Sequence, residues 1–435
     1  MISVTSLNIG LSSPRPQRRL RRSFVLSVAL LVSLTGPLVA FAQETQRDTA
    51  PSSQRKPGGT RWEGSTLHIG NSVKLDPKAR VQADFLLREE STTPEDRFSW
   101  GSRRIGLDGE LFNRVQFQVE HAFQDDDDDD TPWRDVYVDV RVNRALQVRG
   151  GRFKLPYSLE RTTSRDELDF LQRATAVRAL APARDTGVML HGRVRDRVLG
   201  YEVGVFKHAD GFDITNDDNV WGSLGATLAG RVTFTPIQGQ NDKPTRDLEL
   251  GASFVRNSMP EGLHSRRGRT FADDPFFERM WISGQRTRLG AEGLWNGGRV
   301  TVKGELLQMS DQRLGQAVTG DDLSDLILRG GYITGVVRVM GEHGKKGPAV
   351  DVAARVDRLS LGSGNQSDEA FTNPRADHVA PFAKSTWTFG ATWLVHRWIR
   401  VQANAIREQL VDDLGVRNLN TTATWTTVMR LQFAL

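Results

Sequence analysis

Val115-Gln116-Phe117-Gln118-Val119-Glu120 and Val136-Tyr137-Val138-Asp139-Val140-Arg141-Val142 read apolar and polar at every second residue. That period puts one set of side chains on each face of an extended strand. The pattern returns at the C-terminus, where Met429, Leu431 and Phe433 alternate with Arg430 and Gln432. Many long strands of this kind have one apolar face and one face of Arg, Lys, Asp and Glu. A closed transmembrane barrel satisfies both, with lipid outside and water inside. A soluble β-sandwich or propeller is the competing arrangement. Strand length argues against it, as does the placing of Trp221, Trp281, Trp295, Trp387, Trp393 and Trp398 near strand ends, since membrane interfaces collect such rings.

Working outward, about sixteen antiparallel strands are predicted, from Lys74–Arg88 to Asn420–Leu435. Phe112-Asn113 and Asn296-Gly297-Gly298 mark tight hairpins. Short and long connections alternate, as periplasmic turns and external loops do. The third long connection spans 156–184.

The chain has 435 residues, a formal charge of +5, 41 Gly and no Cys. Its mean hydropathy of −0.43 suits a soluble protein, but equally a barrel whose lipid face is diluted by lumen and loops. Phe24–Val39 is the one long apolar run. Arg18, Arg19, Arg21 and Arg22 precede it, and Ala40-Phe41-Ala42 follows. Residues 1–42 therefore read as a secretory signal peptide; Ser, Thr, Gly and Pro within the run argue against a membrane anchor. Residues 43–65, rich in Gln, Ser, Thr, Arg and Pro, read as a disordered periplasmic leader. Residues 66–435 are assigned to the barrel.

Strand parity nominates the lumen. Arg80, Arg104, Arg141, Arg149, Arg193, Arg231, Arg286, Arg288, Lys303, Arg355 and Arg430 alternate with apolar neighbours; Arg104 has the inward phase and Arg103 does not. Asp84, Asp108, Glu110, Glu120, Asp139, Glu202, Glu249, Glu292, Glu305 and Asp351 share that face. The wall is thus mixed rather than purely basic. Guanidinium and ammonium groups replace the hydration of an anion, and rings of them are the expected device of anion pores. Asp125, Asp126, Asp127, Asp128, Asp129 and Asp130 form an acidic run in the second external loop. It reads as a solvated tip, with divalent-cation binding and bridging to lipopolysaccharide phosphates as the sharper alternative. Gly-x-Ser-x-Gly, His-Glu-x-x-His and the phosphate-cradling Gly-x-x-x-x-Gly-Lys motif are absent. No enzyme, cofactor or nucleic-acid partner is expected.

Gly151-Arg152-Phe153-Lys154-Leu155-Pro156-Tyr157-Ser158-Leu159-Glu160, followed by Pro182-Ala183-Arg184-Asp185-Thr186-Gly187-Val188, resembles the phosphate-selective porin O/P family of bacterial outer membranes. Arg103-Arg104-Ile105-Gly106-Leu107 and Thr388-Phe389-Gly390-Ala391-Thr392-Trp393 agree with it. The resemblance implies a sixteen-stranded barrel, usually a homotrimer, whose third external loop folds inward. It implies a path of Arg and Lys for phosphate, pyrophosphate or other anions. Here that loop carries Arg161, Arg165, Arg173, Arg178 and Arg184. Lys154 is carried over as a group near the constriction. Its parity is lipid-facing unless a bulge at Gly150-Gly151 turns it inward. The expected function is passive diffusion of anions, phosphate or polyphosphate, across the outer membrane. A weakly selective general porin and an adhesion or membrane-tethering barrel are the alternatives. Outer-membrane lipid and lipopolysaccharide are the expected surroundings.

Overall fold

The computed structural model describes residues 59–88, 98–125, 131–195, 198–208, 225–237, 246–266, 270–271, 279–341, 347–363, 374–412 and 423–435. Two short strands, β1 (Thr60–Glu63) and β2 (Thr66–Ile69), come first. Sixteen longer ones follow: β3 (Val73–Arg88), β4 (Phe98–Leu111), β5 (Val115–Asp125), β6 (Trp133–Arg141), β7 (Gln147–Lys154), β8 (Arg184–Val194), β9 (Leu199–Phe206) and β10 (Thr227–Ile237). The series continues with β11 (Arg246–Gly262), β12 (Ile282–Gly297), β13 (Val300–Arg313), β14 (Leu323–Met340), β15 (Ala349–Ser363), β16 (Val379–His396), β17 (Ile399–Asp412) and β18 (Ala423–Ala434).

From β3 onward each strand pairs antiparallel with the next, and β18 returns to β3 from Thr426↔Arg88 to Ala434↔Arg80. The result is a closed sixteen-stranded antiparallel barrel. The first hairpin was not expected. Its β1 lies within the 43–65 segment assigned to the leader; β2 pairs with Val73–Leu75, the part of β3 that β18 does not reach. Covering that stretch removes an open edge. The signal segment, the leader up to residue 58, Trp221 and Asp126 to Asp130 lie outside the described residues; Asp125 is the last residue of β5.

Alternation sets the two faces. Val138 and Val140 are 47% and 43% exposed on the outer surface, while Asp139 between them is 2% exposed on the inner one. At the short-turn ends, Phe112 and Asn113 both adopt positive φ (54° and 53°). Arg114 N–H donates to the Leu111 carbonyl at 3.0 Å. This is the two-residue turn whose twist matches paired strands.

Several strands run further toward the long connections than their alternation does. β16 begins at Val379 rather than Thr386, and β11 reaches Gly262 rather than Asn257. Register shifts at Met259/Gly262, Asp311/Arg313 and Leu361/Ser363 change the phase there. Beyond the lipid, neither face has to be apolar.

The connection between β7 and β8 holds α1 (Leu159–Thr162), a 3₁₀ turn at Arg165–Glu167 and α2 (Thr175–Leu180). It packs against inward-facing residues. Leu155, Tyr157, Val177 and Leu180 share a buried cluster with Val255, Leu307, Met309, Leu328, Leu359 and Leu361. Part of the inner wall is therefore a dry core. Gly330 permits the approach of α2, since a Cβ there would sit 2.7 Å from the Ala176 Cβ.

Candidate functional site

The Ser158 hydroxyl caps α1 by accepting from Arg161 N–H at 3.1 Å. On β13, the Glu305 carboxylate accepts from Leu159 and Glu160 N–H at 3.1 and 2.7 Å, and from the Tyr332 hydroxyl at 2.7 Å. The Glu160 side chain accepts from Ala174 N–H at 2.8 Å and from Arg355 at 3.1 Å. Arg355 also donates to the Gln172 carbonyl at 3.2 Å. A buried ion pair holds when further hydrogen bonds satisfy its members, and this one has them.

More wall residues fasten the same connection. Arg288 donates to the Leu180 carbonyl at 2.9 Å. Arg430 donates to the Leu171 carbonyl at 3.2 Å and pairs with Asp84 at 2.5 Å. Arg400 donates to the carbonyls of Asp166 and Leu168. Lys303 meets Asp169 at 2.6 Å. From the other side Arg80 reaches Asp166 at 2.5 Å. Burial favours the neutral form of Asp166, but the Arg80 charge and the Ser164 hydroxyl outweigh it and hold the carboxyl below its ordinary range.

The connection thus lies on β12–β18 and leaves a cavity of about 430 Å³ toward β3–β9. Eight basic side chains line it: Lys78, Arg80, Arg104, Arg149, Lys154, Arg165, Arg173 and Arg184. Four carboxylates accompany them: Glu120, Asp135, Asp166 and Glu202. Arg80 and Arg104 are register partners on adjacent strands. Like charges directly opposed repel, and each is balanced on another side: Arg80 by Asp166, Arg104 by Glu120 at 2.7 Å. Arg184 meets Asp135 at 2.8 Å. Arg149 meets Asp139 at 2.8 Å and lies 4.2 Å from the Tyr137 ring centroid. Lys154 instead donates to the Thr162 and Thr163 carbonyls at 3.2 and 2.9 Å. A second cavity of about 1000 Å³ opens toward the turns Asn143–Ala145 and Val194–Arg195 and shares Glu202 with the first.

Most of the sequence-nominated pore residues fall into three groups. Arg80, Arg104, Arg149, Lys154 and Arg165 line the first cavity. Arg141, Arg193 and Arg231 line the second. The wall residues Arg286, Arg288 and Arg355 line neither cavity: Arg286 pairs with Asp311 at 2.5 Å, and the other two hold the connection. Arg161 lines neither cavity and donates to the Pro182 carbonyl. The bulge invoked for Lys154 does not occur: β7 keeps continuous register with β6 and β8 through Gly150 and Gly151. Arg152 accordingly points outward to the Trp133 carbonyl. Lys154 turns inward because it is the last residue of β7, where the chain leaves the wall. Lys78 lines the first cavity without having been nominated, and Arg173 and Arg184, named only with the loop, line it too. Lys78 shares parity with Arg80 and was legible; the other two sit where parity carries no information.

The family model for phosphate-selective porin O and P matches residues 76–435. The chain belongs to that family. It is a porin of the bacterial outer membrane. The barrel is similar to a loop L8 deletion mutant of OmpT, an outer membrane protein of Vibrio cholerae. Identity is 13%, 84% of this chain and 100% of that one are covered, and the TM-score is 0.54. It is also similar to the anion-selective porin from Comamonas acidovorans (13%, 83% and 100%, TM-score 0.51). A third relative in structure is the outer membrane channel DcaP of Acinetobacter baumannii (10%, 84% and 98%, TM-score 0.51). At these identities the likeness is one of fold. No curated protein matches the sequence.

Proposed function

We propose that this porin passes anions by passive diffusion, with phosphate and polyphosphate as its solutes. The observation that carries the reading is the excess of basic over acidic side chains around the first cavity. A permeating anion there meets guanidinium groups able to engage two of its oxygens. Most of these cations already have carboxylate or carbonyl partners, so each offers a moderate site. Conduction favours several such sites in series over one deep site. The name of the Comamonas acidovorans porin, anion-selective, is in keeping with this. A homotrimer is the assembly proposed; one OmpT structure is described as a trimer form.

Single-channel recording across a chloride gradient tests the proposal. A reversal potential of the sign set by chloride, with phosphate blocking the chloride current at millimolar concentration, is the expected result. A reversal potential near zero removes the anion preference and leaves a general porin, the outcome favoured by the four carboxylates. An unblocked chloride current removes phosphate alone.

A further inference from the structure

The outward face of β11–β15 carries a groove of about 860 Å³ in the barrel surface. Its floor is Gly331, where a side chain would meet the Glu305 carbonyl oxygen at 2.7 Å. Leu306 and Ile333 flank it, 72% and 60% exposed, and Val356 continues it on β15. The groove is apolar along the part of the strands nearest the short turns. Toward the long connections it ends at Arg329 and Arg358. The register pairs Gly331 with Arg358 and Arg329 with Ser360, so the two arginines are diagonal neighbours on one face, roughly 7 Å apart.

Both arginines face outward, in the phase of Ile333 and Val356. Among the described residues the Arg329 guanidinium is hydrogen-bonded only to the neutral Gln308 side chain, at 2.9 Å. Arg358 has no hydrogen bond or ion pair among the described residues. Among the described residues no carboxylate is paired with either. Two adjacent uncompensated cations at the upper edge of a lipid-facing band call for an anion, and the apolar groove below them calls for a hydrocarbon chain. Long connections are external in such barrels, so the anion lies in the outer leaflet.

We infer that this groove binds a phosphorylated outer-leaflet glycolipid, its phosphate held by Arg329 and Arg358 and an acyl chain laid over Gly331 between Leu306 and Ile333. The site is separate from the pore.

Native mass spectrometry of the full-length porin in detergent, titrated with diphosphoryl lipid A, tests it. The expected result is retained lipid A on the unaltered porin and at least ten-fold weaker retention by R329Q/R358Q. R329K/R358K should retain most of the binding. The conductance of R329Q/R358Q should match that of the parent, which shows that the barrel has folded. Equal retention by R329Q/R358Q and the parent overturns the site. So does equal retention of phosphatidylcholine with matched chains, which would reduce the groove to a hydrocarbon contact. Displacement of lipid A by millimolar inorganic phosphate would show an anion site without the lipid and overturns it too. If R329Q/R358Q changes the oligomeric state and leaves lipid A retention intact, the face is an interface between copies and the proposal fails.

Discussion

The two halves of the inner wall solve different problems with the same residue types. On β12–β18, arginine is used as mortar: Arg288, Arg355 and Arg430 satisfy the carbonyls of a connection that leaves the sheet. On β3–β9, arginine and lysine border open space. A charged side chain on the inner face is therefore no sufficient sign of contact with solute. What separates the halves is the β7–β8 connection, which dries the wall it covers and leaves wet the wall it faces.

The sharpest way to break this contrast is Arg355→Met. It leaves Glu160 buried without its cation, a loss of about 3–5 kcal/mol. Chemical unfolding in detergent should show that destabilisation, and conductance should rise as the connection loosens; ion preference should move far less. An unchanged unfolding midpoint would show that Arg355 is not mortar. Gly330→Val comes next, since overpacking against Ala176 costs about 1–3 kcal/mol. Its expected signature is a larger single-channel current, and a current identical to the parent's would deny that α2 rests on that strand.

Charge changes on the open half should act the other way. Arg104→Glu and Arg149→Glu, made singly, are expected to shift the reversal potential toward zero; Arg104→Glu should also lower the unfolding midpoint, because Glu120 is left buried beside a second carboxylate. If either shifted it no more than Arg286→Gln does, the open half would have no special claim on the solute. Acid gives the smallest effect. The Asp166 carboxyl is held below its ordinary range by Arg80 and Ser164. Its contribution is therefore complete above the unfolded value of about 3.9 and is lost as pH falls through the lower folded value. Current noise should stay flat from pH 7 to about 5 and rise only in stronger acid. Asp166→Asn should abolish that rise; a rise that persists in the variant would place the acid-sensitive group elsewhere.

The barrel was legible because lipid is unforgiving. Each strand crossing it must show apolar residues at every second position, so Val138, Val140, Met429 and Leu431 announce the strand, its face and its neighbours. Boundaries were less legible on the long-connection side, where β14 and β16 continue beyond the apolar band and bulges reverse the phase. Of the cavity, Arg80, Arg104 and Arg149 could be read from parity. Arg173 and Arg184 could not, because a connection without a period has no faces to assign.

Alternation along the chain by itself determined the antiparallel strands, their inward and outward sides, and the mixed charge of the lumen wall. Only the tertiary structure decided which inward arginines meet water. That depends on where the 155–183 segment comes to rest, and its position is fixed by Glu305, Arg355, Arg430 and the space at Gly330, groups far away in sequence. A two-residue period records which side of the sheet a residue faces; it holds no information about what lies opposite.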